Sequence, residues 1–125
     1  MNQQELEAIE VIVPNLHWRY SGVTATNRTI APRLAKRLRI GWLGRHAPDG
    51  VPLLSFGDLL ALRKPRAGRP PLIWHARRND EMMVGLALKA LGWPLARLFT
   101  SAAQRRHKAL TRRPIAAMDA IIAPT

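Results

Sequence analysis

The sequence predicts an α/β fold: an open, mostly parallel sheet of about five strands with helices on both faces. Three observations carry this. Short apolar runs alternate along the chain with longer stretches of helical character. One run, residues 72–76 (Leu-Ile-Trp-His-Ala), is nearly continuous in its apolar character and follows two prolines, as suits a strand buried between two layers. The stretch behind it, residues 82–91, is apolar on most sides, which places a helix against a sheet rather than in solvent.

The elements follow in order. Residues 1–7 read as a frayed polar lead. Residues 8–13 (Ala-Ile-Glu-Val-Ile-Val) are rich in β-branched side chains and stop at Pro14, so they read as the first strand. A long polar and aromatic turn runs from Pro14 to Gly22. A helix follows over residues 23–37, with Val23, Ile30, Leu34 and Leu38 at helical spacing. Pro32 lies inside it, and the clash of its ring with the Arg28 carbonyl predicts a kink or a break. Residues 39–44 read as the second strand, and Pro48, Asp49, Gly50 and Pro52 as a turn. Ser55 and Asp58 have the spacing of a capping box for a helix ending near Leu62. Residues 63–70 form a basic Pro/Gly linker.

The third strand is residues 72–76, and Asn79 or Asp80 is placed to cap a helix over residues 81–91 that Gly92 stops. Residues 95–100 read as the fourth strand, and residues 101–113 as a basic helix limited by Pro114. Residues 120–123 read as the fifth strand. Residues 8–125 then form one βαβ-repeating domain.

Composition narrows the function classes. With 125 residues at 47% hydrophobic, the chain can bury a core. It has no cysteine, so disulfides and thiolate metal sites are excluded. The four histidines show no metal-ligand spacing, and there is no Asp-X-Asp pair, so no metal is expected. No basic, apolar leader and no run long enough to span a bilayer is present, which predicts a cytoplasmic location. The net charge of +12 fits nucleic acid, an anionic membrane surface or phosphorylated substrates.

In an open parallel sheet the ligand crevice lies beyond the carboxyl ends of the strands. Those ends carry Ser21, Gly22, His75, Arg77, Arg78, Asn79, Thr100 and Ser101. Gly22 would let a phosphate approach backbone N–H groups at a helix N-terminus; an ordinary turn glycine is the plainer alternative. Arg77 and Arg78 could grip phosphate oxygens, or pair with Asp80 or Glu81 next door. Arg105, Arg106, Lys108, Arg112 and Arg113 could rest on anionic lipid, or simply face solvent.

The segments Ser21-Gly22-Val23-Thr24, Ile73-Trp74-His75-Ala76-Arg77-Arg78-Asn79-Asp80-Glu81, Leu98-Phe99-Thr100-Ser101-Ala102 and Met118-Asp119-Ala120-Ile121-Ile122-Ala123-Pro124-Thr125, in this order and spacing, resemble the amino-terminal domain of a family 4 glycosyltransferase of the GT-B fold. More narrowly they resemble mannosyltransferases of lipopolysaccharide core assembly from alphaproteobacteria. The resemblance implies a Rossmann-like acceptor-side domain. It further implies a cleft shared with a carboxyl-terminal domain that binds the nucleotide-sugar donor and carries two glutamates at EX7E spacing. No EX7E occurs in this sequence, so that donor domain is expected to be absent, and the chain to be a fragment, a frameshifted gene product or a separately encoded half.

The implied reaction is transfer of a hexose, mannose, from a nucleotide sugar to a lipopolysaccharide core acceptor. The nucleotide sugar enters as substrate, with no cofactor, near the inner face of the cytoplasmic membrane. Many family members carry a histidine after the strand that here ends Leu98-Phe99-Thr100, where this chain has Ser101-Ala102. His75, after the preceding strand, is the alternative catalytic group. Two further readings stay open: a noncatalytic remnant, and a basic nucleic-acid-binding module. The second is disfavoured because no aromatic interrupts the basic residues of the stretch 104–113.

Overall fold

A computed structural model describes residues 2–16, 22–64, 66, 68–100 and 119–122. The expected basic helix at 101–113, with Arg105, Arg106, Lys108, Arg112 and Arg113, lies outside these residues, as do Ser21 and Ser101.

The elements are α1 (Gln3–Ala8), β1 (Val11–Asn15), α2 (Gly22–Ala35), β2 (Ile40–Gly44), β3 (Leu53–Leu54), α3 (Phe56–Ala61), β4 (Leu72–Ala76), α4 (Asn79–Ala90), β5 (Leu95–Thr100) and β6 (Ala120–Ile122). The strands form one sheet in the order β3-β2-β1-β4-β5-β6, and every pairing is parallel. The α/β expectation is met, with β4 interior between β1 and β5.

The lead and the strands differ from the sequence expectation in their boundaries. The polar lead forms α1, because the Asn2 side chain accepts from the Glu5 N–H at 2.8 Å and Leu6 is buried. β1 begins at Val11, three residues later than expected because Ala8 belongs to α1, and continues through Pro14 to Asn15. The Glu10 carbonyl accepts from the Ile73 N–H, so alternate residues Ile12 and Pro14 also point their amide positions towards β4. Pairing with β4 ends at Ile12, so the N–H that Pro14 lacks leaves no ladder bond unmade. β3, two residues long, was not anticipated; it adds Leu53 and Leu54 beside Trp42 and Leu43.

The helices follow local rules. α2 runs unbroken through Pro32 and ends three residues later, short of the expected Arg37. α3 has the anticipated capping box: Ser55 Oγ accepts from the Asp58 N–H at 3.0 Å, and Asp58 Oδ2 accepts from the Ser55 N–H at 2.9 Å. α4 begins at Asn79, two residues earlier than expected, and the residue before it, Arg78, makes no side-chain cap. Gly92 ends the α4 region at φ +107°, and its N–H reaches the Lys89 carbonyl at 3.1 Å.

Two cores flank the sheet. On one side Ile12, Leu72, Trp74 and Phe99 meet Leu6 of α1, Leu59 of α3 and Met82 of α4. On the other, Val11, Val13, Ile40 and Trp42 meet Ala31 of α2, with Leu34 packed against them. Helices on both faces leave the carboxyl ends of β1, β4 and β5 at a common edge. Chain order runs outward from β1 to β2 and β3, then returns to the opposite side of β1 for β4, β5 and β6. The reversal lies between β1 and β4, and that is where an open α/β sheet holds its ligand crevice.

Candidate functional site

The residues that close β1 and follow β4 meet at this reversal. Asn15, the last residue of β1, is fully buried. Its Nδ2 donates to the Arg45 carbonyl at 2.8 Å, and its Oδ1 accepts from Arg78 Nη1 at 2.9 Å and from Thr24 Oγ1 at 3.4 Å. Arg78 Nη2 donates to Thr24 Oγ1 at 2.7 Å. Arg78 Nη1 also donates to Glu81 Oε2 at 3.0 Å, and the Leu16 N–H donates to the same oxygen at 3.1 Å. One guanidinium therefore ties β1, α2 and α4 together, and one carboxylate holds the first residue of the loop from β1 to α2.

Glu81 is wholly buried, and burial pushes its carboxyl up from the usual range, against the Leu16 N–H and Arg78, which pull it down. Its Oε1 and the Nδ2 of Asn27, one turn along α2 from Thr24, are the buried polar side-chain atoms without a partner among the described residues. Trp74 Nε1 donates to the Glu81 carbonyl at 2.9 Å, which locks the first turn of α4 onto the sheet.

His75 and Thr100 form a second group at the same edge. His75 Nε2 lies 2.6 Å from Thr100 Oγ1. Burial, reinforced by the Arg77 charge, lowers the imidazole pKa to about 4. The ring is thus neutral at physiological pH. Arg77 is partly buried, and burial lowers its pKa while Glu81 opposes the shift; the guanidinium nonetheless stays charged near neutrality.

The expected site residues divide as follows. Gly22 opens α2 at the edge. Asn79 begins α4, and its side chain lies outside the described set. His75, Thr100, Arg77 and Arg78 all stand at the carboxyl edge, with Arg78 engaged by Glu81, which is the pairing the sequence offered as the alternative to a phosphate grip. Asn15, Thr24, Asn27 and Glu81 were missed as site residues. The only sequence signals were an Asn closing an apolar strand and a Glu three residues after an Arg. Among the described residues no group of three or more His, Cys, Asp or Glu is placed to hold a metal, and no helix is long and apolar enough to cross a membrane.

A parallel sheet wound both ways from β1, with polar and charged side chains gathered at its reversal, defines a Rossmann-like α/β domain with one candidate crevice. The chain is homologous to curated lipopolysaccharide core biosynthesis mannosyltransferases. It is 46% identical over 121 residues to LpcC of Rhizobium leguminosarum bv. viciae. It is 42% identical over 121 residues to LpsB of Rhizobium meliloti (strain 1021). Each match covers 95% of this chain and 34% of the relative, so the chain spans about a third of their length. No family model matches the sequence, and no solved structure does.

Proposed function

We propose that this chain is the amino-terminal, acceptor-side part of a GT-B glycosyltransferase that transfers mannose from a nucleotide sugar to a lipopolysaccharide core acceptor. The observation that carries the reading is the 46% identity over 121 residues to a protein named as a lipopolysaccharide core mannosyltransferase. The donor domain would close over the carboxyl edge, where the polar groups converge.

Three features of that edge support the chemistry. α2 has no acid in its first turn, whereas the first turn of α4 carries Asp80 and Glu81. The first turn of α2 thus carries no acid to repel a leaving diphosphate, and Gly22 is the residue that starts it. Arg77 supplies a fixed cation beside the crevice for an anionic sugar or a phosphate. His75, with its pKa near 4, is a poor net base at neutral pH. Its neutral ring and the Thr100 hydroxyl form a hydrogen-bonding pair suited to orienting an acceptor hydroxyl.

The test is a chimera in which this chain replaces the matching third of the Rhizobium leguminosarum relative. Mannose transfer from a nucleoside-diphosphate donor to core oligosaccharide is then measured. Retained transfer, with Arg77→Ala raising KM for the acceptor about tenfold or more, supports the reading. A folded chimera that hydrolyses or ignores the donor, and transfers nothing, overturns it.

A further inference from the structure

We propose a phosphate-binding site at the opposite, amino-terminal edge of the sheet, in the pocket where Arg39, Arg66 and Arg69 converge. The pocket encloses about 350 Å³. Its walls are the segments that enter three neighbouring strands: Glu10 before β1, Arg39 before β2, and Pro70 and Pro71 before β4. It lies at the far end of the strands from the His75 and Arg78 groups, and shares no residue with them.

None of the three guanidiniums makes a side-chain ion pair among the described residues, although the Glu10 charge is felt at Arg66. Arg66 is oriented by main chain: its Nε donates to the Pro70 carbonyl at 3.0 Å and its Nη1 to the Ile9 carbonyl at 3.0 Å. Of the five N–H donors of a guanidinium, that leaves the majority free of these two bonds. Arg39 and Arg69 make no side-chain ion pair or hydrogen bond among the described residues. The one carboxylate on the pocket wall, Glu10, accepts instead from the Arg39 backbone N–H at 3.1 Å. Burial and the nearby Arg69 charge lower the Arg66 pKa, and Glu10 opposes the shift.

Three cations lining one concave site with a single carboxylate among them favour a polyanion. A phosphate monoester fits this chemistry, since guanidinium forks match its oxygens and its second charge answers a second cation. A neighbouring cavity is also lined by Arg66 and Arg69, together with Lys64 and one carboxylate, Glu7. The phosphate could belong to a free metabolite or to a phosphomonoester lipid headgroup.

Titration of the chain with inorganic phosphate, followed calorimetrically, and sedimentation with phosphatidylcholine vesicles with and without phosphatidic acid test the site and separate the two sources. The expected result is saturable phosphate binding or retention on phosphatidic acid vesicles. The Arg39→Ala/Arg69→Ala variant should weaken it about ten- to a hundredfold, and Arg33→Ala on exposed α2 should leave it unchanged. Phosphate binding without vesicle retention assigns a soluble ligand; retention on phosphatidic acid alone assigns a headgroup. No saturable binding to either probe overturns the site, as does equal binding by the double variant, or equal weakening by Arg33→Ala.

Discussion

Replacing Glu81 by alanine isolates the device that holds the crevice together. The carboxylate is fully buried, accepts from Arg78 at 3.0 Å and is the acceptor for the Leu16 N–H. Removing one partner of a buried ion pair costs about 3–5 kcal/mol, because the other charge stays desolvated. Arg78 keeps Asn15 at 2.9 Å and Thr24 at 2.7 Å, and its side chain is 11% exposed, so the cost belongs near the lower end. The expected destabilisation is about 3 kcal/mol, a large share of the 5–15 kcal/mol typical of a domain. The pair itself adds little net stability, since burial already pushes the Glu81 carboxyl up. Arg78→Met/Glu81→Leu should therefore cost clearly less than the two single changes summed. Urea unfolding followed by the fluorescence of buried Trp42 and Trp74 reads both quantities. A Glu81→Ala loss below about 0.5 kcal/mol, or strict additivity in the cycle, would refute the reasoning.

Two further outcomes are expected. His75 has its pKa lowered from 6.5 to about 4, so the unfolded chain binds its proton more tightly than the folded one. The associated stability is complete above about pH 6.5 and is lost as pH falls towards 4, in total roughly 3 kcal/mol. Glu81 titrates with the opposite sign, so the check is a comparison: His75→Phe should abolish that part of the acid slope, and an unchanged slope between the two pH values contradicts the assignment. Gly85 sits where a Cβ would lie 2.5 Å from Trp74 Cδ1. Gly85→Ala should then destabilise by about 1–3 kcal/mol despite the better helix propensity of alanine; a gain in thermal midpoint would show that α4 shifts freely off Trp74.

The sheet was legible because its signals are local. An apolar run behind Pro70 and Pro71 and an apolar helix behind it can only be a covered strand and its crossover, and β4 and α4 are there. The Ser55–Asp58 cap was legible for the same reason, since both bonds lie within four residues. What local pattern hides is burial decided by a distant partner. Glu81 reads as an exposed acid in a first helical turn, and is buried where Leu16 comes to it across 65 positions of chain from the loop after β1, beside its near neighbour Arg78. Pro14 reads as a strand stop, and is harmless only because β4 has diverged by then. The two-residue β3 carries no periodicity of its own, and exists because Trp42 and Leu43 offer it an edge.

The central claim is that acceptor recognition belongs to the carboxyl edge at the β1–β4 reversal. Titration of the isotopically labelled chain with lipopolysaccharide core oligosaccharide, followed by amide chemical shifts, tests it directly. The account predicts that the perturbed amides cluster at Leu16, Gly22, Arg77, Arg78 and Thr100, while those of Arg39, Arg66 and Arg69 stay still. Perturbation confined to the amino-terminal edge, or spread evenly along the chain, would contradict it.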